Sequence, residues 1–274
     1  MPDDTSITHV DIHKFLRSNH ISCKDVLAVE EPLEIQLSYG QVLARATKSI
    51  SITMRTPGHD EELACGFLLS EGIIQSHQQI SQSEFPAGNS KVRIHLAPNV
   101  EVNLARLERN FYTTSSCGVC GKSSLAALAI QGAPIIVQSP MPSPEVMYTL
   151  PSKLRQAQSV FEQTGGLHAS ALFAATGELV CVREDVGRHN ALDKVIGAQL
   201  LAGKLPLHNY ILLLSGRASF ELMQKALMAG IGVVAAVGAP SSLAVQVAKE
   251  FGMTLVGFLR GEQMNVYATK DAFC

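Results

Sequence analysis

The sequence contains no tryptophan and is sparing in aromatics and charge, at 5% and 17% of residues. Lys and Arg total 22 against 24 Asp and Glu, a formal net charge of −2. No basic excess exists to drive sequence-independent binding to nucleic acid or to an acidic membrane surface. Long hydrophobic runs are missing too. The most apolar stretches, Ala133 to Val137 and Gly230 to Gly238, fall far short of the roughly 20 residues a membrane-spanning helix needs. The opening Met1-Pro2-Asp3-Asp4-Thr5-Ser6 has neither the basic nor the apolar region of a signal peptide. Six cysteines over 274 residues do not make a disulfide scaffold. Neither a Walker A pattern nor a dinucleotide-binding glycine fingerprint occurs, which disfavours an ordinary ATPase or nicotinamide enzyme. These absences lead us to expect a soluble, cytoplasmic, globular protein. At 46% hydrophobic residues it can bury a sizeable core in one large domain or two ordinary ones.

What the chain does have is Thr113-Thr114-Ser115-Ser116-Cys117-Gly118-Val119-Cys120-Gly121-Lys122. A Cys-x-x-Cys pair can bind a metal, form a disulfide or present one low-pKa thiolate as a nucleophile. Lys122, and the N-terminus of a helix expected over Ser123 to Ile130, favour the thiolate by charge. A structural zinc site wants four N/S ligands and no second close Cys/His pair exists, so we expect no metal. A thioredoxin-like site would put the pair at the end of the first strand of a small βαβ unit, whereas here glycines surround it. A persulfide carrier needs an exposed thiolate on a loop with room for a partner and an acceptor.

The rest of the chain falls into regions. Residues 1–28, with His9, His13, His20 and Cys23, read as a flexible leader. Residues 29–112 read as strand-rich: Leu33, Ile35 and Leu37 alternate with polar residues, Val42 to Ala46 and Ile50 to Met54 do the same, and further strands are predicted at Val92 to Leu96 and Val100 to Leu104. We expect a meander. Pro57-Gly58 is a turn signal, after which Asp60 can cap a helix that Gly72 stops; Cys65 inside it reads as core, and His59 as either exposed or functional. Residues 113–124 are the cysteine loop. In 125–274, Pro140, Pro142, Pro144 and Pro151 mark a connector, Ser152 to Gln163 a helix, and strands and helices then alternate. Strands are predicted at Ala169 to Ala174, Glu178 to Arg183, Tyr210 to Leu214, Gly232 to Val237 and Thr254 to Phe258, and helices over His189 to Leu201, Phe220 to Met228 and Ser241 to Phe251. Apolar strands separated by ten-residue helices predict an α/β region with a largely parallel sheet covered on both faces.

In such sheets ligands bind outside the carboxyl ends of the strands. Four junctions qualify: Arg183 to Asn190, Ser215-Gly216-Arg217-Ala218-Ser219, Gly238-Ala239-Pro240-Ser241-Ser242, and Phe258 to Asn265. Together they offer arginines, hydroxyls and helix N-termini, which suit an anionic, phosphorylated ligand. His189 stands among the charges of Asp185 and Arg188, and His168 enters a strand after Gly165-Gly166. Asp193 and Lys194 read as a solvated helix face. Cys181 reads as buried and Cys274 as incidental.

With these motifs in view, the sequence resembles the FdhD/NarQ family of formate dehydrogenase accessory sulfurtransferases. The matching stretches are Arg55 to Gly72, Cys117 to Lys122, Gly165 to Ala171, Arg183 to Gly197, Leu214 to Ala226, Gly238 to Val245 and Gly257 to Tyr267. The resemblance implies a sulfur carrier required for formate dehydrogenase activity. Cys117 would accept persulfide sulfur from a cysteine desulfurase, with Cys120 assisting. The sulfur would pass to the bis-molybdopterin guanine dinucleotide molybdenum cofactor, a substrate, before its insertion into the formate dehydrogenase apoenzyme. The family's segment for the GDP-like moiety matches Phe258, Leu259, Arg260, Gly261, Glu262 and Gln263, and the junction reading adds Ser215, Arg217 and His189. The resemblance also implies a homodimer and a C-terminal domain of the cytidine deaminase-like three-layer fold. The deaminase zinc signature is absent, since His168-Ala169-Ser170 lacks the acid-base glutamate and no later Cys pair follows. The alternative reading is a non-catalytic chaperone that presents the cofactor to the apoenzyme.

Overall fold

The structure, a computed structural model, describes residues 5–17, 19–86, 88, 90–98, 100–102, 136 and 142–270. The Cys117–Cys120 loop, the helix expected over Ser123 to Ile130 and residues 103–104 of the strand expected at Val100 to Leu104 lie outside them, and residues 100–102 of that expected strand are not in a strand.

Residues read as a leader instead form a ribbon, β1 (Ile7–Leu16) paired antiparallel with β2 (Asn19–Ala28). Its apolar residues alternate only weakly, and Phe15, Leu16, Ile21 and Leu27 stay exposed, so periodicity carried little signal. The second sheet holds β3 (Glu31–Tyr39), β4 (Ala46–Arg55), β5 (Ile80–Glu84) and β6 (Lys91–Leu96) in the order β4-β3-β6-β5. Leu33, Ile35, Leu37, Ile50, Val92, Ile94 and Leu96 form its inner face. β3 and β6 run parallel, so the expected meander is corrected. Of Val42 to Ala46, expected as a strand, only Ala46 belongs to β4, and the residues before it form a turn: Ala44 N donates to Gln41 O, Gly40 takes φ +99°, and Leu43 is fully exposed.

Between β4 and β5, α1 (Asp60–Ser70) begins after Pro57-Gly58 and ends where Gly72 takes φ +67°. His59, not Asp60, is the N-cap. Asp60 is turned back to the Arg55 guanidinium, with two contacts of 2.9 Å.

The third sheet has six strands among the described residues: β7 (His168–Ala174), β8 (Leu179–Asp185), β9 (Tyr210–Leu214), β10 (Val233–Ala236), β11 (Thr254–Arg260) and β12 (Gln263–Ala268), in the order β12-β11-β10-β9-β7-β8. β9, β10 and β11 are parallel, while β7–β8, β7–β9 and β11–β12 are antiparallel. The expectation of a largely parallel sheet is therefore corrected to a mixed one. The short turns at Thr176-Gly177 and Gly261 allow only antiparallel returns.

Helices cover both faces. α2 (Pro144–Ala157) packs Met147, Leu150 and Leu154 against Ala169, Ala171, Phe173, Leu213 and Val233. The expected proline connector is helical from Pro144 on, because Ser143 precedes Pro144 at the first turn, where proline is favoured, and the helix expected over Ser152 to Gln163 is divided between the end of α2 and a second helix. A separate short helix, α3 (Ser159–Thr164), precedes β7. On the opposite face lie α4 (Arg188–Leu201), α5 (Phe220–Met228) and α6 (Ser242–Phe251), the last capped by Ser241 Oγ.

One core runs from the inner face of the second sheet through α1 to α4, α5 and α6. α1 crosses α4 at two glycines: a Cβ on Gly66 would lie 1.9 Å from Asp193 O, and one on Gly197 1.8 Å from Glu62 O. None of the described helices is long and apolar enough to cross a membrane.

Candidate functional site

The antiparallel placement of β7 brings its first residue, His168, to the edge where β8, β9, β10 and β11 finish. Ser215 N donates to Ala169 O at 3.0 Å, and Ser215 Oγ accepts from Ala169 N at 2.9 Å. The loops after the parallel strands are then laced together: Gly238 N donates to Gly216 O, Ala218 N to Ala239 O, Ser241 N to Ala218 O, and Phe258 N to Gly238 O. Close approach demands glycine here, since a Cβ on Gly238 would sit 3.0 Å from Gly216 O and 3.1 Å from Arg217 Cγ. The four junctions expected to serve a ligand thus form one continuous edge.

Along it the expected residues are placed as follows. Phe258 is half-buried with φ +53°, a conformation rare for a bulky side chain, and pairing between β11 and β12 is irregular from Gly257 to Arg260. Arg260, Glu262 and Gln263 are exposed, and Gly261 takes φ +55°. Leu259 is fully buried in the core beneath α2, which leaves only its backbone for a ligand. Arg217 is exposed. His189 Nε2 is 3.8 Å from Glu221 Oε2; this neighbour, outweighing burial, holds the Glu221 carboxyl down at about 2. Cys117 and Cys120 lie outside the described residues. Among the described residues no cluster of three or more His, Cys, Asp or Glu could hold a metal ion.

The charges beside this edge are structural, and the sequence reading missed them. Asp185 is fully buried. It meets Lys194 Nζ at 2.7 Å and accepts from Thr56 N, Gly187 N and Asn190 Nδ2 at 3.2, 2.8 and 3.0 Å. Lys194 also donates to Thr56 O, and Asn190 to Met54 O. Asp193 pairs with Lys225 at 2.8 Å and accepts from Ser70 Oγ. Asp193 and Lys194, read as solvated, are therefore among the most buried polar residues. Their signal was available: both sit between apolar residues on a helix with no polar stripe. Farther along β8, Arg183 grips Glu62 at 2.6 and 2.7 Å. Burial opposes ionisation of Glu62, but Arg183 and then His59 outweigh it and hold the carboxyl at about 2. Burial, with help from Glu61 and Glu62, pushes the Cys65 thiol up to about 12, and burial also raises Cys181. Both are inert core cysteines.

This fold and edge define a mixed α/β protein with an arginine- and hydroxyl-bearing strand-end site, a class suited to anionic ligands. Comparison with known proteins narrows the class. The chain belongs to the FdhD/NarQ family, whose model matches residues 28–274. It is 52% identical over 264 residues to the sulfur carrier protein FdhD of Streptomyces avermitilis, covering 92% of this chain and 91% of that one. It is 41% identical over 265 residues to the sulfur carrier protein FdhD of Saccharolobus solfataricus, covering 97% of each. The crystal structure of a candidate formate dehydrogenase accessory protein from Desulfotalea psychrophila matches with a TM-score of 0.74 over 97% of this chain and 98% of that one; at 23% identity it speaks for the fold.

Proposed function

We propose that this protein is a sulfurtransferase serving formate dehydrogenase maturation, a cytoplasmic homodimer that carries sulfur as a persulfide on Cys117. The Cys117 thiolate attacks the outer sulfur of a cysteine desulfurase persulfide. An S–S bond forms to Cys117 as the desulfurase thiolate leaves, with no net oxidation. The acceptor then supplies the electron pair for its new bond to that outer sulfur, being oxidised by two electrons, as the S–S bond breaks and Cys117 leaves as thiolate, with Cys120 assisting. The acceptor is the bis-molybdopterin guanine dinucleotide molybdenum cofactor, destined for the formate dehydrogenase apoenzyme. Its guanine nucleotide portion lies along the strand-end edge, on Ser215, Arg217, His189 and the 258–263 hairpin. In this reading residues 113–124 are the sulfur-carrying loop, 29–112 a supporting domain, and 125–274 a cofactor-binding domain of cytidine deaminase-like type.

The observation that carries the reading is the convergence on one edge of four junctions that together offer arginines and serine hydroxyls, in a chain whose relatives are named sulfur carriers. Exposed Arg217 and Arg260 suit phosphate oxygens, and the left-handed Phe258 marks the strained backbone that functional edges keep. Intact mass after incubation with a cysteine desulfurase and cysteine tests it. Wild type should gain one thiol-reversible sulfur, and Cys117→Ala should not. If neither gains sulfur while guanine nucleotide still binds, the cofactor-presenting chaperone is the better account.

A further inference from the structure

Among the described residues, the first two side chains of α4 hold polar atoms that make no hydrogen bond, and His189 Nε2 has only the Glu221 carboxylate beside it, 3.8 Å away. Arg188 Nε and His189 Nε2 are shielded from solvent, and neither has a hydrogen-bond partner among the described residues. An N–H that is neither solvated nor bonded is costly, and a ligand oxygen can relieve that cost. Facing them from β7 is His168, half-buried, its ring against Gly216, where a Cβ would lie 3.4 Å from Nδ1. Burial, then the Arg188 guanidinium, then His189 hold the His168 ring below its ordinary value of 6.5, with Asp185 of β8 pulling the other way. Asp185 is already committed to Lys194 and three N–H donors, so it is a poor counter-ion for Arg188. Glu221 of α5 stands by His189 alone. The corner where β7, β8 and α4 meet is thus electropositive, lined by N–H donors and short of an anion.

We propose that Arg188, His189 and His168 form an anion subsite that takes a phosphoryl or diphosphoryl group. It deepens, and rests on, the reading of the strand-end edge as the binding place of a phosphorylated ligand. Neither Arg188 nor His168 belongs to the residues that reading assigns. Arg188 supplies a permanent charge and a planar fork of donors. His189 is shared with Glu221, so Arg188 carries most of the attraction. An anion placed here cancels the repulsion of Arg188 and His189 on His168. Anion binding and His168 protonation therefore favour each other, and each strengthens the other by the same factor.

The test uses the full chain. The His168 ring is titrated by NMR with and without saturating inorganic pyrophosphate, its resonance assigned by its loss in His168→Gln. Pyrophosphate and guanosine diphosphate are then titrated calorimetrically into wild type, Arg188→Gln and Arg188→Lys. We expect pyrophosphate to raise the His168 midpoint and to bind more weakly as pH rises through it. Arg188→Gln should weaken pyrophosphate at least about tenfold, with Arg188→Lys between the two. Pyrophosphate binding that leaves the His168 midpoint unmoved overturns the proposal on wild type alone, whatever the folding of the variants. If guanosine diphosphate binds wild type and is weakened by Arg217→Gln or Arg260→Gln but not by Arg188→Gln, this subsite is wrong while the edge reading stands. If neither compound binds wild type, both fail.

Discussion

Replacing Gly66 by alanine sets two rules against each other, and the structure decides the sign. In a helix interior alanine is favoured over glycine by about 1 kcal/mol, so α1 taken alone predicts a more stable protein. The crossing with α4 predicts the reverse. The added methyl would sit 1.9 Å from Asp193 O, 2.7 Å from Asp193 C and 2.9 Å from Gly197 N, all backbone atoms that no rotamer change can move aside. The helices must part by about 1 Å, which disturbs packing along their whole contact. Overpacking of this kind costs typically 1–3 kcal/mol and sometimes more. With rigid backbone on the far side we take about 3, and the propensity gain leaves a net loss of about 2 kcal/mol. With a urea slope of about 3 kcal/mol/M the midpoint falls by roughly 0.7 M. Gly197→Ala meets Glu62 O at 1.8 Å and should behave alike. The double variant should cost clearly less than the sum, because helices already forced apart by one methyl accommodate the other. Gly66→Ala unfolding at or above the wild-type midpoint would refute the argument, as would strict additivity.

Lys194→Met should lower stability by roughly 3–5 kcal/mol, because it strands the fully buried Asp185 as an uncompensated charge. Thermal unfolding reads this as a loss of roughly 6–20 °C. Adding Asp185→Asn should recover part of it, and no recovery would mean that lost packing, not charge, dominates. Acid sensitivity should trace to Glu62. Its folded value of about 2 lies below the ordinary 4.5, so the stability it contributes is complete above 4.5 and fades as pH falls toward 2. The difference in urea midpoint between wild type and Arg183→Gln should be constant above about pH 5 and shrink below it; a difference independent of pH would exclude this linkage.

Much of the α/β region was legible because its elements obey simple periodicities. Tyr210–Leu214 and Phe220–Met228 are bounded by polar, glycine or serine punctuation and match expectation residue for residue. The carboxyl-edge rule places the junction residues together, and the laced loops from Ser215 to Phe258 agree with it. What stayed hidden depends on partners distant in sequence. The β1–β2 ribbon carries no clean alternation, and β12 follows only from the left-handed turn at Gly261. The parallel pairing of β3 with β6 spans residues far apart in the chain. Asp193 and Lys194 looked like an ordinary exposed pair because their partners, Lys225 on α5 and Asp185 on β8, lie on other elements. The apolar neighbours on either side point to burial, but only these distant partners show how the buried charges are matched.

Residues 53 to 56 of β4 and its exit tie the second sheet to the start of α4: Thr53 Oγ1 donates to Asn190, Met54 O accepts from it, and Thr56 meets both Asp185 and Lys194. A change in composition along a chain is commonly taken as a place to cut it. Here a fragment made of the C-terminal half alone would present an unclothed aspartate, asparagine and lysine at the root of the edge proposed for the ligand. The N-terminal sheet is in that sense the inner lining of the proposed site, and if that edge takes a nucleotide as proposed, a fragment lacking the sheet should lose it even when every edge residue is retained.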